Sequence, residues 1–460
     1  MKALMIAGDR SGSGKTSITL AIASLFARKM KVQTFKVGMD YIDPSYLTGV
    51  TGRPCRNLDT YVMDRDQVRV VYTHGCMGAD LALIEGVRGL YEGAEALEET
   101  GSSASVARCL DIHVVLVVNA RSITRSAAAL VRGFQAFDPE IRIAGVILNN
   151  VAGDKHIRKA TTAIEHYCGI PVIGAIPRMP EMELGMRHLG LMPYREGQEN
   201  RKFQEKIRAV TENIGEHVNL DQLLSVACAT PPPQHKPDIF KPAKDPDLSI
   251  GIAYDEAFNF YYADLFDVLH AGGARTVLFS PLHDSLPDAD GYILGGGYPE
   301  LFLPELAARD GLKNDIRDAS GLGIPIYAEC GGLMYLTEAV ILKDGWQGIQ
   351  GERMYPMCGI FKGTTTMPAR RVVAYVEGKS LPGSPMGESH FRGHEFHYSD
   401  VSLCPGTRFC YSLSRGAGIS GGSDGALMNR TLGCYTHLHP VASLPMFSHF
   451  LDACRKPARA

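Results

Sequence analysis

The stretch KALMIAGDRSGSGKT (residues 2–16) decides the fold of the first half of the chain. A short apolar run leads into a glycine-rich loop, and a helical pattern follows at once, with Ile18, Ile22 and Phe26 on one face. A strand, a glycine turn and a helix N-terminus form the setting in which backbone N–H groups bind phosphate. Lys15 can reach the terminal phosphates of a nucleotide, and the Thr16 hydroxyl can ligate Mg²⁺. We therefore predict a phosphate-binding loop rather than a simple glycine turn.

The same order of strand, loop and helix repeats through residues 1–180. The apolar runs are nearly continuous, as expected for strands that are covered on both faces of a parallel sheet. The pattern predicts an α/β fold with a doubly wound, mostly parallel sheet. Its predicted strands are residues 2–8, 32–38, 81–87, 113–120, 143–150 and 171–177.

A proline-rich stretch, ATPPPQHKPDIFKPAKDP (229–246), interrupts the pattern and is typical of an extended linker. The α/β pattern then restarts, with a helix predicted over residues 257–273. We predict three parts: a phosphate-binding domain, a linker and a second α/β domain, over residues 1–228, 229–247 and 248–460. The predicted strands of the second domain are residues 248–255, 274–280, 291–297 and the start of 323–332.

Composition excludes several classes of protein. The chain has 460 residues, 45% of them hydrophobic and 21% charged, with a formal net charge of −3. This balance indicates a soluble globular protein and argues against bulk binding to nucleic acid or to a membrane surface. The apolar start is too short for a secretory signal, and no apolar run is long enough to span a membrane. Scattered cysteines without a CxxC pair indicate reduced thiols in a cytoplasmic protein.

Carboxylates follow two of the predicted strands. Asp40 and Asp43 come after the second strand in FKVGMDYIDP, and Glu85 ends the third strand in LIEGVRG. Because the carboxyl ends of the strands face the ligand crevice of such a sheet, we expect these acids near the phosphate loop, rather than as solvated loop acids. Lys36 is predicted either near the transferred phosphate or as a lysine at the surface or at the edge of the core. Asn149, at the end of the fifth strand, reads adenine or forms an Asx turn.

A thiol site is predicted in the second domain. Cys330 stands between the strand IPIYAE and the glycines that open the helical LMYLTEAV, a turn that exposes a nucleophile above a sheet. Its base is predicted in CYTHLHP (434–440), where His437 and His439 alternate along a strand. The candidate donors to an oxyanion are the backbone N–H groups of Gly296, Gly297 and Gly331.

Motifs along the whole chain identify a family. Arg10 stands where partitioning-type ATPases carry a second lysine, and the loop spacing is similar to that of dethiobiotin synthetase, which phosphorylates a carboxylate or carbamate. In order, the motifs resemble those of the cobyrinate a,c-diamide synthase family: GDRSGSGKT (8–16), KVGMDYIDPSYLTGVTGRPCRNLD (36–59), LIEGVRGLYEG (83–93), LGGGYPE (294–300), AECGGLMYL (328–336), FRGHEFHYS (391–399) and YTHLHP (435–440).

The resemblance implies an ATP-dependent amidating domain followed by a class I-type glutamine amidotransferase domain. It also implies amidation of the a and c acetate side chains of a modified tetrapyrrole. The catalytic residues that it implies are Asp40, Asp43, Glu85, the nucleophile Cys330 and its partner His437. The nucleotide-binding residues are Gly12, Ser13, Gly14, Lys15, Thr16 and Ser17, together with Asn149.

The sequence departs from the expected motifs at two places. Class I amidotransferases have an acid soon after the histidine, but here His439-Pro440 is followed by Val441. Glu395 in GHEFHYS is either structural or catalytic. Met39 replaces the proline usual in cobyrinate enzymes, and KVGMDYIDPSY with CRNLD looks more like the branch that acts on Ni-sirohydrochlorin, on the way to coenzyme F430.

The chemistry defines the expected partners. ATP converts a carboxylate into an acyl phosphate, and glutamine supplies ammonia. We expect Mg²⁺ on Thr16, Asp40 and Glu85. The polyanionic tetrapyrrole needs cations, and the candidates are Arg53, Arg56 and Arg88, although ordinary surface arginines fit equally well.

Three alternatives stay open at this point. They are the same amidation of cobyrinate or hydrogenobyrinate, a cobyric-acid-type amidase for other side chains, and a dimerising nucleotide switch with a degenerate glutaminase-like domain. A homodimer is compatible with each of these interpretations.

Overall fold

The computed structural model describes residues 1–178, 201–231 and 237–456. The chain divides into two compact units, Met1–Pro237 and Asp238–Ala460. The predicted linker, residues 229–247, is wrong at both ends, and its residues 232–236 lie outside the described part. Ala229 pairs with Lys2 in the sheet of the first unit, and Phe240 is fully buried. Backbone pairing and apolar burial therefore hold the two flanks of this segment in place.

The first unit is an α/β sandwich. Its strands are β1 (Lys2–Gly8), β2 (Val32–Val37), β3 (Arg56–Leu58), β4 (Leu81–Gly89), β5 (Val114–Asn119), β6 (Ile143–Val151), β7 (Val172–Pro177) and β8 (Cys228–Ala229). Its helices are α1 (Lys15–Ala27), α2 (Ile42–Thr51), α3 (Arg65–Gly75), α4 (Ser103–Leu110), α5 (Arg125–Phe137), α6 (Asp154–Cys168), α7 (Arg201–His217) and α8 (Leu220–Val226). The short strand β3 was not predicted, because three residues carry too little periodicity.

The sheet order places the phosphate loop. The strands run parallel in the order β3-β2-β4-β1-β5-β6-β7, and β8 adds to β1 antiparallel. The chain therefore builds away from β1 first to one side and then to the other, and the loop after β1 lies at this reversal, where such folds bind ligands. Leu4, Leu83 and Val115 are buried against Ile18 and Ile22 of α1. Burying each of these side chains contributes about 1.5–3 kcal/mol, which fixes α1 beneath the loop.

The second unit combines a large mixed sheet with a smaller one. Its strands are β9 (Leu248–Ala253), β10 (Phe258–Phe260), β11 (Ala274–Phe279), β12 (Gly291–Leu294), β13 (Gly296–Gly297), β14 (Ile326–Glu329), β15 (Thr337–Leu342), β16 (Arg353–Pro356), β17 (Phe361–Met367), β18 (Val372–Ser380), β19 (Ser389–His397), β20 (Asp400–Leu403), β21 (Arg408–Arg415), β22 (Ser423–Met428), β23 (Thr431–Cys434) and β24 (His437–Leu438). Its helices are α9 (Ala263–Ala271), α10 (Leu303–Ala307), α11 (Asp310–Gly321), α12 (Gly331–Leu336) and α13 (Leu444–Arg455).

The larger sheet has ten strands in the order β11-β9-β12-β14-β23-β22-β21-β18-β19-β24, and the smaller sheet has the order β16-β15-β17-β20. The strands β11, β9, β12, β14 and β23 are parallel, so their carboxyl ends meet at one edge. The nucleophile turn follows β14 at this edge. The α/β class predicted for both halves is confirmed.

The helix predicted over residues 257–273 is wrong at its start. Phe258–Phe260 instead form β10, which pairs with β13. The pairing needs glycine on the other side, because a Cβ at Gly297 would stand 2.1 Å from the carbonyl oxygen of Ala257. The helix proper begins at Ala263. Within the described ranges, no helix is both long and apolar enough to cross a membrane.

Candidate functional site

The phosphate loop of the first unit joins β1 to α1. Gly14 has φ 95°, in the left-handed region that favours glycine, and it directly precedes the first helical residue, Lys15. A Cβ at Gly14 would stand 2.2 Å from Nδ2 of Asn149, so only glycine fits against that amide. The Nδ2 group of Asn149 donates to the carbonyl oxygen of Ser13 over 2.8 Å. The loop is thus held from β6, and the N-terminus of α1 faces the position for an anion.

Asn149 has a different set of contacts from the one predicted. Besides its bond to Ser13, its side-chain oxygen accepts the backbone N–H of Asn150 over 2.9 Å. The amide therefore supports the loop from below. Contact with adenine stays a prediction, as does nucleotide binding by Gly12–Ser17.

A buried cluster lies beside the loop. Lys36 Nζ stands 2.5 Å from Asp43 Oδ2 and 2.7 Å from Glu85 Oε1. The hydroxyl of Thr16 donates to Glu85 Oε1 over 2.5 Å and lies 3.4 Å from Asp43 Oδ2. Four elements converge here, because β2 and β4 pair Lys36 with Glu85 in register, while α1 and α2 bring Thr16 and Asp43. The prediction that acids at the strand ends meet at the phosphate loop agrees with these contacts.

Burial and charge compete within this cluster. Burial alone lowers the pKa of Lys36, but the charges of Asp43 and Glu85 outweigh burial and raise it. Burial raises the pKa of Glu85. Burial would do the same to Asp43, yet the charge of Lys36 holds the pKa of Asp43 below its ordinary value. Lys15 has a lowered pKa, because it is buried and lies near Lys36. The single charge of Lys36 thus compensates that of Asp43 and only partly offsets the burial of Glu85.

Asp40 occupies a different position from the one that its predicted metal role requires. Its Oδ1 accepts the backbone N–H of Ile42 over 3.0 Å, and its Oδ2 accepts that of Asp43 over 3.2 Å. Burial, reinforced by the charge of Asp43, raises the pKa of Asp40 to about 7. Both carboxylate oxygens of Asp40 therefore accept backbone N–H groups at the start of α2. Asp43, rather than Asp40, lies beside Thr16 and Glu85.

The residues present fit a magnesium ion. Of the described side chains, Glu85 has a buried Oε2 with no hydrogen-bond partner, next to the Thr16 hydroxyl. Groups of three or more His, Cys, Asp and Glu placed to hold a metal do not occur among the described residues. Mg²⁺ does not require such a group, since it commonly takes one or two carboxylates and completes its shell with phosphate oxygens and water.

The three arginines predicted to bind substrate carboxylates lie in different parts of the first unit. The Arg53 guanidinium donates to Gln33 Oε1 over 3.1 Å and to the carbonyl oxygens of Gly75 and Met77 over 3.0 Å each. Because Gln33 lies at the amino end of β2, Arg53 lies at the edge of the sheet opposite the phosphate loop. The substrate role of Arg53 is therefore wrong.

Arg56 is also misplaced for that role. It begins β3 in register with Phe35, and its side chain is buried, with Cδ close to Gly75 of α3. A buried side chain beneath α3 does not offer its guanidinium to a large substrate. Arg88 differs, because it is exposed at the carboxyl end of β4 and donates to the carbonyl oxygen of Gly93 over 3.2 Å. Its contact with substrate stays a prediction.

In the second unit, Cys330 occupies a strained turn. β14 ends at Glu329 and α12 begins at Gly331, so that Cys330 stands between them with φ 47° and ψ −96°. Such a conformation costs a non-glycine residue on the order of 1–3 kcal/mol and is found mainly at functional sites. The Cys330 thiol lies 3.7 Å from the carbonyl oxygen of Phe396. The local geometry is that of a nucleophile displayed on a strand-to-helix turn.

His437 forms a hydrogen bond with this thiol. Burial alone lowers the pKa of His437, but hydrogen bonds with Cys330 and Glu329, together with their charges, raise it to about 10. Nδ1 of His437 stands 3.2 Å from Glu329 Oε2. Glu329 was not among the predicted residues, although an acid at the end of a buried strand, directly before the nucleophile, was an available signal.

The other candidates in this region have separate partners. His439 Nε2 stands 3.5 Å from Asp264 Oδ2, and its ring packs on Tyr262 at 4.8 Å. Glu395 accepts the backbone N–H groups of Ala417 and Gly418 over 3.1 and 2.9 Å. His439 therefore packs against α9. The contacts of Glu395 favour its structural interpretation.

The glycines predicted as oxyanion donors lie around the thiol. A Cβ at Gly331 would stand 3.2 Å from the backbone nitrogen of Gly297, and a Cβ at Gly296 would stand 2.9 Å from Cε1 of His437. The N–H of Gly332 donates to Gly295 and ties the two loops together over 3.0 Å. Stabilisation of an oxyanion by Gly297 and Gly331 stays a prediction.

Comparison with known proteins matches both units. Residues 4–191 match the CobQ/CobB/MinD/ParA nucleotide binding domain, and residues 249–443 match the CobB/CobQ-like glutamine amidotransferase domain. A cobyrinate a,c-diamide synthase from Methanosarcina acetivorans is 48% identical over 473 residues, covering 98% of this chain and 95% of its own length. The proteins of the same name from Methanosarcina barkeri and Methanothermobacter thermautotrophicus are 47% and 39% identical, covering 98% and 97% of this chain and 96% and 97% of their own lengths.

Proposed function

Because the chain belongs to the cobyrinate a,c-diamide synthase family of glutamine-dependent ligases, we propose that it uses ATP and glutamine to amidate the a and c acetate side chains of Ni-sirohydrochlorin. One observation carries the proposal. A single chain holds both a phosphate loop backed by Lys36, Asp43 and Glu85 and a strained Cys330 beside His437. The first set suits activation of a carboxylate, and the second suits release of ammonia.

In the first unit, a substrate carboxylate oxygen attacks the γ-phosphorus of ATP, and ADP leaves, so that an acyl phosphate forms. Lys15 and the N-terminus of α1 stabilise the charge on the phosphates. When bound by Thr16 and Glu85, Mg²⁺ would supply further charge neutralisation at the phosphates. Asp43 keeps Lys36 charged and in place beside this centre.

In the second unit, the Cys330 thiolate attacks the amide carbon of glutamine. His437, which is protonated at neutral pH because its pKa is raised, gives a proton to the departing ammonia. Neutral His437 then takes a proton from water as the water attacks the thioester and releases glutamate. Ammonia attacks the carbonyl carbon of the acyl phosphate, and phosphate leaves. The hydrogen bond between Cys330 and His437 argues against a degenerate glutaminase domain.

Two substrates are supported by different observations. Ni-sirohydrochlorin is favoured by the loop KVGMDYIDPSY and by CRNLD, in which the buried Met39 stands where cobyrinate enzymes have proline. Cobyrinate is favoured by the names of the relatives. The reaction at the acetate side chains is the same for both tetrapyrroles, so only a comparison of substrate preference distinguishes them.

The deciding experiment measures kcat/KM for Ni-sirohydrochlorin and for cobyrinate side by side, with ATP and glutamine. Mass spectrometry counts the amidations, and we expect two. Lys15→Ala serves as the matched inactive control. Faster diamidation of cobyrinate would overturn the assignment of substrate, more than two amidations would favour a cobyric-acid-type enzyme, and no amidation of either tetrapyrrole would refute the proposed function.

A further inference from the structure

The acid of the glutaminase site is not where the sequence pattern places it. The position two residues after His439 is Val441, a buried apolar side chain. We propose that Glu329, the residue directly before the nucleophile, is the positioning acid that orients His437 toward Cys330. This inference rests on the glutaminase half of the proposed function.

The Glu329 carboxylate is itself held at both oxygens. Oε1 accepts the Tyr327 hydroxyl over 2.6 Å and the backbone N–H of Leu438 over 3.1 Å. Oε2 is turned to Nδ1 of His437 at 3.2 Å. Tyr327 lies two residues earlier on β14 and therefore on the same face, while Leu438 is the neighbour of His437 on β24. The two donors fix the carboxylate, and the carboxylate fixes the imidazole.

The orientation of the imidazole follows from its two ring nitrogens. A carboxylate at Nδ1 keeps the proton there and leaves Nε2 for the nucleophile, and it stabilises the imidazolium form. His394 packs on the His437 ring, with centroids 4.9 Å apart and an interplanar angle of 24°. The Glu329 carboxylate at the edge of the His437 ring and the His394 ring on its face together hold His437 in one position.

Other acids of the second unit that lie near β14 and β24 have different partners. Glu395 accepts two backbone N–H groups, and Asp264 stands beside His439. Asp424 accepts the backbone N–H groups of Tyr435 and Thr436 and the hydroxyl of Thr436. Glu329 is in contact with His437, whereas Glu395, Asp264 and Asp424 are engaged by these other groups.

The charge environment agrees with this role. The groups that act on His437 are Cys330 and Glu329, with His394 stacked against it and Glu395 farther away. Burial lowers the pKa of His394 well below its ordinary value, and the charges of His437 and His439 add to that effect. His394 therefore stays neutral and does not replace Glu329 as a charge partner.

The test compares Glu329→Gln with wild type in glutamine hydrolysis. A glutamine amide that keeps its oxygen toward Tyr327 and Leu438 turns its NH₂ toward Nδ1, which favours the wrong tautomer of His437. The equivalent change in a serine protease triad costs about 10⁴-fold in kcat. Since the hydrogen bond with Cys330 also helps to hold His437, we expect a smaller loss of about 10²–10³-fold in kcat, with KM for glutamine changed less than about threefold.

A second measurement distinguishes a positioning role of Glu329 from a purely structural one. Alkylation of Cys330 by iodoacetamide, followed by peptide mass spectrometry so that the exposed Cys404 is counted separately, reports the pH at which the thiolate forms. We expect this pH to rise in Glu329→Gln. Glu329→Asp keeps the charge but retracts it by one methylene, so its profile should lie between those of wild type and Glu329→Gln. The control is Glu395→Gln, which removes another buried carboxylate of this unit and should leave the alkylation profile unchanged.

Ammonia-dependent amidation with ATP distinguishes the possible failures. If Glu329→Gln keeps this activity and also hydrolyses glutamine within threefold of wild type with an unchanged alkylation profile, the inference is overturned while the proposed function stands. If wild type itself shows no glutaminase activity, the proposed function fails. Should Glu329→Gln not fold, Glu329→Asp decides, because retracting the carboxylate by one methylene must slow hydrolysis at least tenfold, and a rate within threefold of wild type overturns the assignment.

Discussion

Replacing Lys36 by methionine tests the electrostatics of the buried cluster beside the phosphate loop. Lys36 is 5% exposed and Glu85 is fully buried, and the Lys36 ammonium lies within 2.7 Å of carboxylate oxygens on both Asp43 and Glu85. Lys36→Met keeps the apolar stem but leaves two neighbouring carboxylates without their shared cation. Removing one partner of a buried ion pair typically costs about 3–5 kcal/mol. Lys15 also acts on both acids, so we expect a loss of about 3 kcal/mol at pH 8.

The loss should depend on pH with a defined sign. In wild type, the lowered pKa of Asp43 contributes stability that is present above its unfolded pKa and is lost as the pH falls. In Lys36→Met, the folded pKa of Asp43 rises above its unfolded value, and that of Glu85, already raised by burial, rises further, so the destabilisation is largest at high pH. It should shrink by up to about 1.4 kcal/mol per pH unit for each carboxylate that becomes protonated.

The assay must resolve the two units. Hydrogen exchange of peptides covering β1 and β4 during urea unfolding reports on the first unit, and fluorescence of the single tryptophan, Trp346, reports on the second. The control is Lys313→Met, because Lys313 is 3% exposed but bonds two carbonyl oxygens and an 85% exposed Asp310. Its cost should be about 1–3 kcal/mol and independent of pH. A loss under about 1 kcal/mol for Lys36→Met at pH 8, or one that grows as the pH falls, would refute the reasoning.

Further predictions concern activity. Cys330→Ala should abolish glutamine-dependent amidation and leave amidation with ammonium chloride intact, whereas Cys404→Ala should change neither; loss of both activities in Cys330→Ala would contradict the division between the units. Lys15→Ala should lower ATP-driven amidation at least about 10²-fold with either nitrogen source, since phosphoryl transfer depends on charge stabilisation at the phosphates; near-normal turnover would remove the phosphate-site assignment. Arg88→Ala should raise KM for the tetrapyrrole several-fold with little change in melting temperature. Arg53→Ala should instead lower the free energy of unfolding by about 1–3 kcal/mol and leave KM unchanged. The reverse outcome would contradict the placement of the two arginines.

The elements that depend on local pattern could be predicted. A strand, a glycine-rich turn and a helix follow one another within 30 residues around Lys15 and again around Cys330, and local periodicity with glycine placement is sufficient to indicate each. The strand order, by contrast, depends on pairing between distant segments, and the α/β class was predicted only because parallel strands covered on both faces have nearly continuous apolar runs.

Side-chain roles that depend on three-dimensional partners could not be predicted in the same way. Arg53 and Arg88 both stand in motifs near the phosphate loop, and nothing in the sequence distinguishes them. The difference arises because Arg53 follows α2 back to the amino edge of the sheet, where carbonyl oxygens of the α3 end accept its N–H groups. Asp40 and Asp43 differ in the same way, since the backbone of α2 occupies both oxygens of Asp40 and leaves Asp43 to Lys36.

The acid of the glutaminase site shows why sequence spacing was misleading. A histidine needs a carboxylate at Nδ1, and the physical requirement concerns position in space rather than distance along the chain. β14 and β23 are parallel neighbours, with Glu329 in register with Cys434, and the chain needs only three more residues to bring His437 beside the end of β14. From there an acid on β14 reaches Nδ1 as well as an acid after the histidine would. The buried Val441 is then free to pack, and the nucleophile and the acid that positions the histidine become consecutive residues, both in contact with His437. In such an arrangement, any shift of β14 moves the acid and the thiol together, so the geometry of the three groups depends on one strand end and on β24.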